Sequence, residues 1–258
     1  MHRTILEIRY QLRTRNFWIA VLLSVVAFME PAVAERNGDI LYLYNMSICY
    51  GIFLVAAPFI AVIPGVRILS NYQGHIMRYN VTRSGRRTYI CSQAVVVAVT
   101  GGIALALGPL ISVLLLALRF PLASEAYKSV YILDPLYNAS FSTLLNQQHY
   151  VLFLMIKLCM VFGYGFSVNM IAFVISTIIQ DSFVITFSPF ILLQGTSLWS
   201  NRLPIFYRHA VYLHGNVINL SFNNTWGFIG VTTIVHISIA VVSMLVGIKM
   251  LTRRWANA

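Results

Sequence analysis

The chain has 258 residues, 59% of them hydrophobic and only 10% charged, with a mean hydropathy of +0.76. Roughly a quarter of a soluble domain is charged, so the composition excludes that class and indicates one integral membrane domain over 1–258. The formal net charge of +11 does not indicate nucleic acid, because the cations cluster in short segments beside apolar runs, as membrane topology is written.

A hydrocarbon core of ~30 Å needs about 20 helical residues. Six segments qualify, near 17–34, 45–67, 92–118, 150–178, 183–199 and 227–250. Before the first, Ile5, Ile8 and Leu12 share a stripe at helical spacing, which predicts a short amphipathic helix over 1–16 on the cytoplasmic surface. Arginines, the apolar run and "EPAVAE" imitate a secretory signal. Glu30-Pro31 nevertheless reads as the outer end of a retained span. Pro58 and Pro64 predict irregularity in the second span.

The segment 68–91 is the chain's densest basic stretch. It and its edges hold Arg67, Arg78, Arg83, Arg86 and Arg87, and no acidic residue occurs between Asp39 and Glu125. Ile68, Tyr72, His75 and Tyr79 recur at three- and four-residue steps, which predicts a helix within the loop. Aromatic residues interleaved with the charges exceed what a topological anchor requires. Lys157 falls inside the fourth span and Glu30 toward the outer end of the first, and both are intramembrane charges of functional interest. Glu30 is free to pair with Lys157 or with Arg119. "GYGFSVN", at 163–169, reads as small residues permitting close helix packing. Pro189 predicts a kink in the fifth span. The stretch 200–226 is too apolar for a solvated loop and too interrupted for a span, which predicts an external re-entrant segment. His236, alone on the sixth span, reads as a packed neutral imidazole.

Orientation follows from the basic residues. Arg3, Arg9, Arg13 and Arg15, the 67–91 loop, and Lys249, Arg253 and Arg254 fall on one side of a six-span chain. That side is predicted to be the cytoplasm, with both termini there and the protein in the cell membrane. The opposite loops carry Glu35, Asp39, Glu125 and Asp134.

Catalytic signatures are missing. The sequence has no GxxxxGK[ST] phosphate loop, no HExxH and no GxSxG, so neither ATP binding by that loop nor the common hydrolase patterns are encoded. Cys49, Cys91 and Cys159 are too scattered for a disulfide framework or a CxxC metal site. The expectation is a non-enzyme holding no metal or cofactor of its own.

The layout resembles the membrane subunit of an ABC exporter of the second permease class, the type V fold. The resemblance rests on the basic N-terminal helix, the six spans, the long first cytoplasmic loop and the very short second one, "IIQDS" at 178–182. The run from Tyr72 through "RSGRRTYICS" to Ser92 is similar to that family's coupling segment. The family often places a glutamate near the glycine of this segment, where this chain has Asn71 and Gln73. The resemblance implies pairing with a second permease subunit and two separate ATPase subunits, which bind the ATP and magnesium. It implies an ATPase contact made by Tyr72, His75, Met77, Arg78, Tyr79 and Arg83, with Asp181 as a smaller one. It also implies a cargo pathway along the second and fifth spans, offering Phe53, Phe59, Thr186, Phe187, Phe190 and Gln194. So apolar a lining suits an amphipathic or hydrophobic cargo, with a peptide the first expectation. The competing expectations are an ATP-independent channel and a membrane immunity or interaction protein.

Overall fold

The computed structural model describes residues 2–35, 38–49, 51–70, 85–127, 141–200 and 225–256. Among these, every regular element is helical. The helices are α1 (His2–Gln11), α2 (Arg15–Ala34), α3 (Ile40–Cys49), α4 (Ile52–Val62) and α5 (Val66–Ser70). They continue with α6 (Arg86–Leu116), α7 (Ser142–Asn146), α8 (Tyr150–Ser176), α9 (Ser182–Ser200) and α10 (Thr225–Ala256). Four of them, α2, α6, α8 and α10, are long and apolar enough to cross a bilayer. The pair α3 and α4 adds a fifth crossing if its two halves act as one.

The centre is the pairing of α6 with α8. Side chains on both helices are small where they meet. A methyl added at Gly101 would overlap Asn169 Nδ2 and Ala61 O, and one at Gly102 would stand 2.9 Å from Phe162. Gly165 faces the Gly102 backbone. Close backbone approach is the usual basis of helix association in lipid, where no hydrophobic force separates helix from acyl chain. α2 packs on α6, α10 packs on α8, and α4 lies against α2, α6, α8 and α9.

Two neighbouring pairs run parallel. α1, which precedes α2, joins the start of α6 through Thr4 Oγ1 to Ser92 Oγ at 2.9 Å. The segment after α2 joins the segment after α6, with Ile40 N donating to Pro121 O at 3.1 Å and Ser124 N to Asp39 Oδ2 at 2.8 Å. Along α8 and α10, Ser167 meets His236, Gly247 meets Phe173, and Thr177 meets Met250. The numbers rise together on both helices.

Local chemistry sets the irregularities. The expected second span, 45–67, is interrupted: α3 and α4 meet at 68°. At the break, Gly51 N reaches back to Met46 O at 3.0 Å, and a Cβ at Gly51 would lie 2.8 Å from Ser47 O. Only glycine fits that turn. Asp39 caps α3 through Tyr42 N at 2.8 Å, and its buried carboxylate also binds Ser124, so one side chain fastens two loops. Pro109 removes the N–H that Leu105 O would accept within α6. Ser24 of α2 supplies the replacement, donating to Leu105 O at 3.0 Å. Likewise, Asn169 Nδ2 donates at 2.8 Å to Ala61 O, at the end of α4, and to Gly165 O.

Candidate functional site

The predicted pathway residues are partly gathered. The Phe59 ring on α4 lies 4.8 Å from that of Phe187 and 4.4 Å from that of Phe190, both on α9. Phe183, one turn earlier on α9, stacks on Phe187 at 4.1 Å and is 65% exposed. Sequence reasoning passed over Phe183, although its spacing of four and seven residues from Phe187 and Phe190 marks one face of a helix. Ile52 and Val55 on α4 and Ile191 on α9 are exposed as well. The cluster carries aromatic surface and no ionisable group, so it can hold an apolar or aromatic moiety but perform no proton or group transfer.

Of the other predicted pathway residues, Phe53 stands apart. Phe53 is buried and packs edge-on to Phe28 at 5.3 Å. Thr186 donates its hydroxyl to Ser182 O of its own helix at 2.8 Å. Gln194 belongs to α9, and its side chain lies outside the described residues.

The residues expected to contact an ATPase, Tyr72, His75, Met77, Arg78, Tyr79 and Arg83, lie outside the described residues. The two edges of their segment are described. α5 packs against α9, α8 and α6. Gly85, at a φ of 79° that favours glycine, opens α6. Asp181 is the N-cap of α9, accepting Val184 N at 2.9 Å, and is exposed. A cap carboxylate at a helix N-terminus is stabilised by the helix dipole.

The intramembrane charges do not meet. Among the described residues no ion pair joins Glu30 to Lys157 or to Arg119. Lys157 is only 1% exposed. Its Nζ stands 4.7 Å from the ring centroid of Phe141 and 5.6 Å from that of Phe153. Phe141 in turn packs on Phe228 of α10 at 5.7 Å. Desolvated ammonium groups gain most from such ring faces. Nothing in the sequence linked Phe141 to Lys157, because fifteen residues and a turn intervene.

His236 fits a notch at Gly163, and its Nδ1 lies 2.7 Å from Ser167 Oγ. It borders a groove of about 370 Å³ between α8 and α10, lined also by Met155, Cys159, Met160, Trp226 and Thr232. Among the described residues there is no His, Cys, Asp or Glu cluster able to hold a metal. The family models, the curated proteins and the solved structures compared with this chain give no match.

Proposed function

We propose that the chain is the membrane permease subunit of an ATP-driven exporter. In this reading it pairs with a second permease subunit, binds two separate ATPase subunits, and moves an amphipathic or hydrophobic cargo, such as a peptide, out of the cell. One observation carries most of the weight: the parallel course of α2 with α6, and of α8 with α10. Parallel neighbours in a bilayer need an odd number of crossings between them. The α3–α4 pair serves for the first pair, and α9 for the second. At about 1.5 Å per residue, the 19 residues of α9 give it a length near that of the hydrocarbon core.

Six crossings on this plan gather exposed Arg9, Arg13, Arg15, Arg67, Arg87, Lys249 and Arg253 at one end. That end is then the cytoplasmic one, and the basic 71–84 segment and Asp181 belong to it. An ATPase docked there meets the foot of α6 and the foot of α9 together. Because α9 carries Phe183, Phe187 and Phe190, a tilt at its foot would reposition the aromatic face along its length. ATP binding then biases the equilibrium between inward and outward states only by its differential affinity for them. The aromatic face supports the cargo assignment, since it offers ring surface without charge.

The test is a mild-detergent purification of the tagged chain from its host, with mass spectrometry of the proteins retained. A stoichiometric ATPase subunit is expected, and Tyr72→Ala, Arg78→Ala and Tyr79→Ala combined should lose it. Recovery of no ATPase, under conditions that keep other ABC complexes intact, would sink the exporter reading. Flux through liposomes holding the chain alone would then favour a channel.

A further inference from the structure

The outward side of α1 combines two things that neither water nor hydrocarbon accommodates well. Ile5, Leu6 and Tyr10 are 56%, 51% and 70% exposed. Arg9, together with Arg13 in the turn leading to α2 and Arg15 at its first position, is exposed beside them. At 3.6 residues per turn, these α1 residues project away from the side bearing Thr4, Glu7, Ile8 and Gln11. That inner side is fastened to α6. Thr4 meets Ser92, and Gln93 Nε2 donates to Glu7 Oε2 at 2.6 Å. Arg3 pairs with Glu7 at 2.9 Å and lies 5.4 Å over the Tyr89 ring.

Glu7 is the sole acidic residue before Glu30, and it is engaged by Arg3 and Gln93. The outward face is therefore apolar and cationic with no compensating acid. α2, the first apolar span, begins at Arg15, so α1 stands at the level where a bilayer's headgroups begin. That layer satisfies both chemistries, since apolar side chains reach the acyl boundary while guanidinium groups bind phosphates.

We propose that the face formed by Ile5, Leu6, Arg9, Tyr10, Arg13 and Arg15 is a binding surface for anionic phospholipid headgroups. The cations of a nucleic-acid or acidic-protein site would have no use for the three exposed apolar side chains. Through the Glu7–Gln93 and Thr4–Ser92 bonds, lipid held there braces the first two turns of α6, immediately after the basic segment. The inference depends on the membrane reading of α2 and is independent of any ATPase or cargo.

The experiment uses the full chain purified in detergent and follows the thermal midpoint of its monodisperse form. Dioleoylphosphatidylglycerol, dioleoylphosphatidylcholine, inorganic phosphate and polyglutamate are titrated separately. Phosphatidylglycerol should raise the midpoint, and the other three should not. Arg9→Gln, Arg13→Gln and Arg15→Gln combined should raise the phosphatidylglycerol required by about tenfold or more. The corresponding triple lysine variant should respond as the native chain does. Equal responses to both lipids would overturn the proposal, as would protection by phosphate or polyglutamate alone. So would a glutamine variant that responds like the native protein.

Discussion

Gly101 shows how much of this bundle depends on single atoms that are absent. It faces both Asn169 Nδ2 and the backbone oxygen of Ala61, and a backbone oxygen cannot swing away as a side-chain tip can. Gly101→Ala should cost about 3 kcal/mol through overpacking, lowering the thermal midpoint in detergent by roughly 6–12 °C. Gly230 is the matched control. Nothing lies within 4 Å of a Cβ built there, and alanine's higher helix propensity should leave Gly230→Ala neutral or more stable by up to about 1 kcal/mol. Equal midpoints for the two variants would mean that the α6–α8 contact is not close. Lys157 teaches a different lesson at this scale. The sequence marked it as a charge at membrane depth, but of the two rings beside its ammonium only Phe153, one turn back on α8, follows a helical spacing, whereas Phe141, just before α7, does not.

At the scale of elements, prolines and their remote partners decide how the helices interlock. Pro109 leaves Leu105 O without its helical donor, and Ser24 of α2 supplies one. Ser24→Ala should therefore destabilise by about 0.5–1.5 kcal/mol, the range of interhelical hydrogen bonds measured in membranes. In a Pro109→Ala background the same change should cost close to nothing, because residue 109 then donates to Leu105 itself. A double-mutant cycle reads the difference, and additive effects would disconnect the serine from the proline. The α3–α4 break belongs here too. The sequence reads 45–67 as one apolar run, with Pro58 and Pro64 as the sources of irregularity. The sharp break falls at Gly51, where Ser47 O leaves no room for a Cβ, and a second interruption, between the end of α4 at Val62 and the start of α5 at Val66, does fall at Pro64. A lone glycine in an apolar stretch looks the same whether it turns the chain or merely packs against a neighbour. The start of α6 illustrates the reverse. Its helix begins at Arg86 rather than near 92, because Gly85 adopts a positive φ and the polar first turns are fastened to α1.

For the whole molecule, the sequence made the all-helical, membrane-spanning character plain, because long apolar runs separated by charge have no other stable form in lipid. It also placed Phe59, Phe187 and Phe190 on one candidate face, and the structure brings their rings together. What it left open was which helices are neighbours. That information sits in Ser24 with Leu105, Asn169 with Ala61, and Ser167 with His236, pairs separated by 69 to 108 residues. Such pairs lie far beyond any periodicity. The parallel courses that follow from them are the foundation of the six-crossing plan and of the cytoplasmic end on which the exporter reading depends.

The most direct measurement of that plan is single-cysteine labelling in intact and permeabilised cells, in a background with Cys49, Cys91 and Cys159 replaced. Arg13→Cys and Gln147→Cys sit at exposed positions before α2 and α8, and Ser182→Cys at the exposed first position of α9. An impermeant maleimide should label Gln147→Cys from outside in intact cells, and should reach Arg13→Cys and Ser182→Cys only after permeabilisation. Labelling of Gln147→Cys and Ser182→Cys from the same side would mean that α8 does not cross, and labelling of Arg13→Cys from outside would invert the molecule. Either result would contradict the account.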